Sequence, residues 1–247
     1  ATVTNAKAVL RDGTTRLKKD GEIIHHHSGV AGFAEYAVLP KEALVRIDKH
    51  IPFEHAALFG CGVVTGVGAV INTASAREED SIAIVGLGGV GLSALLASIA
   101  IGSKKTIAID LSNEKLNLAH ELGADHILNP NDANFLERVR DLTSGGANIA
   151  IETAGSGRAL KTAYDITRRG GTTVAAGMPG PKVDITLSHL SIAAEERIIK
   201  GSYMGSCIAH RDIPKYLDMF QTGKLPVDRL LSRKITFEVL NSAIDRL

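Results

Sequence analysis

Cysteine is scarce in this sequence: Cys61 and Cys207 are the only two among 247 residues. That is too few for a disulfide framework, so a reducing, cytoplasmic setting is expected. Tryptophan is absent and aromatic residues make up 4%, which argues against a surface that stacks nucleic-acid bases. Neither sign of charge dominates. With 28 basic and 27 acidic side chains the formal charge is +1, which provides no field for nucleic acid or an acidic membrane surface. No uncharged apolar run is long enough to span a bilayer, residues 92–101 being too short. The start of the chain lacks the basic-then-apolar pattern of a secretory signal, and there is no internal repeat or low-complexity tract. At this length the chain can bury a substantial core in one large or two modest domains.

Residues 81–110 carry the most information. Ile82, Ala83, Ile84 and Val85 form a short apolar run suited to a strand buried on both faces. Gly86, Gly88 and Gly91 follow with G-x-G-x-x-G spacing around Leu87, Gly89 and Val90. The first glycine permits a tight turn, the second lets backbone approach a diphosphate, and the third lets the helix pack closely on the sheet. The positive end of that helix then holds the anion. A lone glycine pattern is weak evidence, but this one has context on both sides. Residues 89–101 are rich in Leu, Ala, Ile and Val, as a sandwiched helix requires, and the next apolar run ends on Asp110. An acid there accepts hydrogen bonds from both hydroxyls of an adenosine ribose and repels a 2′-phosphate, which favours NAD over NADP. Two other readings stay open at this point: a glycine turn in an unrelated α/β enzyme with Asp110 as a helix N-cap, and a methyltransferase.

The chain reads in three parts, 1–62, 63–203 and 204–247. The first looks extended and irregular, with turn signals at Asp12-Gly13 and Asp20-Gly21; residues 33–39 read as a strand. From Val63 the pattern repeats as α/β. Helices are expected over 65–74, 89–101, 113–122, 133–142 and 158–167, and strands at 81–85, 106–109, 126–128, 148–152, 172–176 and 198–203. Six strands separated by helices make a full dinucleotide-binding sheet, so the expected fold is α/β with a doubly wound, six-stranded parallel Rossmann sheet. A methyltransferase sheet usually ends in an antiparallel hairpin, and none is legible here.

Several segments together resemble the zinc-dependent medium-chain alcohol dehydrogenases. They are Asp12-Gly13-Thr14-Thr15-Arg16, His26-His27, Phe33-Ala34-Glu35-Tyr36, residues 58–69 around Cys61, the glycine turn, Glu121-Leu122-Gly123-Ala124-Asp125, and Gly170-Gly171 leading to Ala176-Gly177-Met178-Pro179. The resemblance covers nearly the whole chain, in order and spacing. It implies that Cys61 is a ligand of a catalytic zinc, for which a thiolate is well suited. It also implies that Thr65 and Val90 flank the nicotinamide, that Asp110 and Lys115 hold the adenosine ribose, and that backbone at Ala176, Gly177 and Met178 reads the carboxamide. The implied chemistry is hydride exchange between NAD and a small alcohol or aldehyde, with zinc as Lewis acid, in a homodimer or homotetramer joined near Tyr203.

This sequence departs from the family pattern. The segments that supply the other zinc ligands, the proton-relay hydroxyl and a four-cysteine structural-zinc lobe have no counterpart here, and Cys207 matches no ligand. The C-terminus stops at Ile244-Asp245-Arg246-Leu247, where the family continues into a final strand. The expectation is therefore a truncated dehydrogenase, inactive alone, with its catalytic residues outside this sequence. In it, residues 1–62 are a remnant of a mostly β, GroES-like catalytic domain, 63–203 are the NAD-binding domain, and 204–247 return towards the catalytic domain. A zinc-free reductase and an NAD-binding fragment without catalysis are the alternatives.

Other features have plainer readings. His25-His26-His27 is expected in a solvated loop, and Glu195-Glu196-Arg197 at an exposed helix end with local charge pairing. Glu152 ends a predicted strand, where it either faces the cleft or serves only to hydrogen-bond backbone, and it is given no catalytic role. His189 and His210 receive no role.

Overall fold

The computed structural model describes residues 8–10, 12–26, 30 and 32–246. They belong to two compact units, Ala1–Arg46 and Ile47–Leu247.

In the first unit, β1 (Leu17–Lys19) and β2 (Glu22–Ile24) form an antiparallel hairpin around Asp20-Gly21. Both turn residues have positive φ, 51° and 85°, the conformation whose twist matches the flanking strands. The strand expected at 33–39 does not form: residues 33–35 bend, residues 36–40 have no regular structure, and Tyr36 and Val38 are each 91% exposed. A strand-like run is not sufficient, because a strand also needs a neighbour for its backbone groups, and β1 and β2 make a sheet of their own. His26 also corrects the solvated-loop expectation. It is buried, its N–H donating to the Ala8 carbonyl at 3.0 Å and its Nε2 accepting from the Arg16 N–H at 3.3 Å. His27 lies outside the described residues.

In the second unit, α1 (Phe53–Ala56) leads to α2 (Gly62–Gly68), which continues through a π-helical turn at Ala69–Ala74. There follow β3 (Ser81–Val85), α3 (Gly89–Ala100), β4 (Lys105–Ile109), α4 (Asn113–Glu121), β5 (His126–Leu128), α5 (Phe135–Thr143) and β6 (Ala147–Glu152). The chain goes on through α6 (Gly157–Ile166), β7 (Thr167–Ala175), α7 (His189–Ala194), β8 (Ile198–Gly201), α8 (Ala209–Gln221) and α9 (Leu240–Ile244). The six strands from β3 onward form one sheet in the order β5-β4-β3-β6-β7-β8, every neighbouring pair parallel. This is the doubly wound arrangement, with its switch point between β3 and β6. Because β8 is parallel too, the antiparallel ending of a methyltransferase sheet is absent from this sheet.

Strand alternation divides the core. Ile82 and Ile84 face one side with Val63, Val67, Leu92, Leu95, Leu96 and Leu116, joined by Tyr216 and Leu217 of α8. Ala83 and Val85 face the other with Ile107, Ile109, Phe135, Val139, Ala163 and Ile166. Each fully buried aliphatic side chain here contributes about 1.5–3 kcal/mol, which explains why β3 carries no polar side chain after Ser81. The strand expected at 172–176 begins earlier: Thr167 pairs with Ala147, and the register shifts before Ile149 meets Thr172. Glu195 and Arg197 do pair, at 2.5 Å, but Arg197 is not an exposed helix end. Its guanidinium lies 4.7 Å from the Tyr164 ring and donates to the Tyr164 carbonyl. Among the described residues no single helix is long and apolar enough to cross a membrane.

Candidate functional site

The carboxyl end of β3 turns through Gly86, where φ is +94° and an added Cβ would lie 2.8 Å from the Ala154 Cβ. At Gly91 a Cβ would lie 1.9 Å from the Gly86 carbonyl oxygen. The fold itself therefore requires both glycines. Gly88 differs: with φ −75° and ψ −172° it has a conformation open to any residue, and a Cβ there would meet nothing within 4 Å. Gly89 is equally open. Gly88 is also the N-cap of α3 and offers no side-chain cap, whereas Ser112 and Ser156 cap α4 and α6 through their hydroxyls. The first-turn amides of α3, which have no partner within the helix, are thus left to a group from elsewhere.

Asp110 follows β4. Its Oδ2 accepts from the Leu87 N–H at 2.7 Å and its Oδ1 from the Ser112 N–H at 2.9 Å, so one carboxylate joins the glycine turn to the approach of α4. Ser112, not Asp110, is the helix cap. Beside it is a cleft of about 230 Å³ that brings together Gly86, Asp110 and Lys115. Leu111, Pro130, Ala154, Ser156 and Arg158 are also in its wall, and the sequence singles out none of these five. Arg158 is in the first turn of α6 and donates to the Asn131 Oδ1 at 2.8 Å. The available signal was positional: residues 153–158 follow the strand across the switch point, where such sheets bind ligands.

A second group of expected residues meets where α2 crosses α3. A Cβ at Gly66 would come within 2.2 Å of the Val90 carbonyl oxygen, so the helices touch backbone to backbone and Thr65 sits close to Val90. Thr65 is buried, and its hydroxyl donates to the Cys61 carbonyl at 2.8 Å and reaches the Met204 sulfur at 3.9 Å. Met204 was also not anticipated. Cys61 caps α2 and is exposed, with a free thiol. Among the described residues no three His, Cys, Asp or Glu side chains gather closely enough to hold a metal ion, so these residues do not by themselves fit a catalytic zinc. Burial and the neighbouring Asp212 carboxylate push the Cys207 thiol up to about 11.

Ala176, Gly177 and Met178 follow β7. The N–H groups of Ala176 and Gly177 donate to the Glu152 carbonyl at 2.9 and 3.0 Å, while the Met178 side chain is exposed. The Glu152 side chain is buried and its Oε1 accepts from the Gly155 N–H at 2.6 Å. Burial pushes its pKa above the usual carboxylate value, against the opposing pull of the surrounding amides.

A glycine turn at the switch point of a doubly wound parallel sheet, with an acid closing the second strand, is the architecture of dinucleotide-binding proteins. A family model described as zinc-binding dehydrogenase matches residues 89–222, over half of the chain. The chain belongs to that family. It is 30% identical over 246 residues to alcohol dehydrogenase 1 of Petunia hybrida, an alignment covering 98% of this chain and 64% of the relative. Among solved structures it is similar to an alcohol dehydrogenase zinc-binding domain protein from Burkholderia ambifaria, with TM-score 0.92, 31% identity and coverage of 98% of this chain and 66% of that one. It is also similar to benzyl alcohol dehydrogenase from Acinetobacter calcoaceticus, with TM-score 0.85, 32% identity and coverage of 90% and 61%. The chain thus spans less than two thirds of the length of the plant relative.

Proposed function

We propose that this chain provides the cofactor-binding part of an NAD-dependent oxidoreductase of the zinc alcohol dehydrogenase type, which moves hydride between a small alcohol or aldehyde and the nicotinamide. The supporting observation is Gly88, a glycine that the backbone does not need, standing in clear space at the uncapped start of α3. In this reading the amides of Gly88, Gly89, Val90 and Gly91 hold the pyrophosphate, and Asp110 and Lys115 hold the adenosine ribose. Leu111, Pro130 and Arg158 flank the adenine. Thr65 and Val90 orient the nicotinamide, and Ala176 to Met178 fix its carboxamide. Bound NAD supplies the hydride acceptor; these residues supply binding, orientation and exclusion of water.

Zinc belongs to the proposed reaction of the whole enzyme, with Cys61 as one ligand that the described residues do not complete. The chain alone is therefore expected to bind NADH without reducing NAD from alcohols. Titration with NADH should raise and blue-shift its fluorescence with a micromolar Kd, while AMP competes. Absence of binding by both would overturn the reading. Free thiols at Cys61 and Cys207 suit a reducing cytoplasm.

The proposed oligomer rests on β8. This edge strand exposes Ile198 and Ile199, with Tyr203 beyond it, and an apolar edge is a template for pairing. Light scattering should report twice the 26.1 kDa chain mass; a strict monomer at tens of micromolar would remove the edge from the proposal.

A further inference from the structure

We propose that Glu152 is a positioning residue for the dinucleotide, its buried carboxylate fixing Gly155, against which the loop after β7 packs; this rests on the NAD reading above. Glu152 ends β6, next to β3 across the switch point, and its side chain is 2% exposed. What surrounds the carboxylate is backbone. Oε1 accepts from the Gly155 N–H at 2.6 Å, while the Gly177 N–H donates to the Glu152 main-chain carbonyl at 3.0 Å. A buried carboxylate is costly, and an apolar side chain of similar volume would fill the space more cheaply. An apolar side chain cannot, however, accept from the Gly155 N–H, and Gly155 is the residue on which Gly177 and Met178 pack.

The loops meet at this carboxylate with no room to spare. A Cβ on Gly177 would lie 2.2 Å from the Gly155 nitrogen and 2.8 Å from Glu152 Oε1, and one on Gly155 would lie 2.8 Å from the Met178 carbonyl. The loop after β6 has further anchors. The Thr153 N–H donates to the Val85 carbonyl at 2.9 Å, and its hydroxyl to the Gly86 carbonyl at 2.7 Å. That loop lines the adenosine cleft through Ala154 and Ser156. The loop after β7, assigned above to the carboxamide, is held to it through Gly155 and Glu152. Weakening the carboxylate should therefore disturb the nicotinamide end more than the adenosine end.

Glu152→Gln tests this, since the amide keeps the shape but turns an NH2 towards backbone donors. The 247-residue chain is titrated with NADH and, separately, with AMP. The expected result is an NADH Kd raised about tenfold, loss of the blue shift of bound NADH, and an AMP Kd changed by less than about twofold. Equal weakening of both ligands, or of neither, overturns the proposal. Wild-type chain that binds neither ligand overturns the NAD reading instead. If Glu152→Gln does not fold, Glu152→Asp, which keeps the charge and is one methylene shorter, should show the same split in smaller measure. If neither variant folds, Glu152 holds the fold rather than the crevice and the proposal fails.

Discussion

Gly88→Ala is expected to leave the fold intact and to abolish most NADH binding. Its φ of −75° and ψ of −172° are open to alanine, and the new methyl would touch nothing within 4 Å. A glycine-to-alanine change at such a position stabilises by about 0.4–1 kcal/mol through the unfolded chain, so the urea midpoint should hold or rise slightly. The same methyl would occupy the space into which a diphosphate must come to reach the α3 amides. We expect NADH affinity to fall on the order of a hundredfold, about 2.7 kcal/mol. Gly91→Ala supplies the contrast. Its methyl would overlap the Gly86 carbonyl oxygen at 1.9 Å, forcing the turn off the helix, and should cost on the order of 3–5 kcal/mol of stability. A Gly88→Ala chain that binds NADH as the wild type does would mean that this turn does not hold the pyrophosphate.

Asp110→Ala should remove the preference for NADH over NADPH. Its carboxylate already accepts from Leu87 and Ser112, and its remaining lone pairs border the cleft shared with Lys115 and Arg158. Losing charge-assisted bonds to two ribose hydroxyls should weaken NADH by about 2 kcal/mol, roughly thirtyfold. The negative charge that repels a 2′-phosphate disappears in the same step, while the two cations remain. NADPH affinity should therefore hold or improve, and the preference for NADH collapse. Thermal unfolding should show a modest loss, because two amides lose their acceptor. If NADH weakens and NADPH weakens equally, Asp110 serves only to brace the turn, and the discrimination lies elsewhere.

The sequence made the central sheet legible because its signals are local. Ile82 to Val85 are apolar without alternation, which suits a strand with helices on both sides, and the glycine spacing follows directly. The same local reasoning failed at residues 33–39, where a strand-like run forms no strand, and at His26, whose burial depends on Ala8 and Arg16. At Glu152 the sequence leaves open whether the side chain faces the cleft or bonds backbone; the loops that meet there, at Gly155 and Gly177, are about 22 residues apart, and the chain gives no sign that they touch.

By itself, then, the sequence determined where along the second unit strands and helices form, the glycine turn and the acid at Asp110, since each depends on residues within a few positions of one another. The tertiary structure decided which of these meet. Placing β6 beside β3 brings Ala154 and Thr153 against Gly86, adds Arg158 and Ser156 to the Asp110 cleft, and sets a buried carboxylate between two loops. It also separates the glycines the backbone needs, Gly86 and Gly91, from Gly88, where the backbone would accept a side chain. The physical reason is that strand order, unlike strand formation, is chosen by how distant apolar faces pack, and spacing along the chain does not record it.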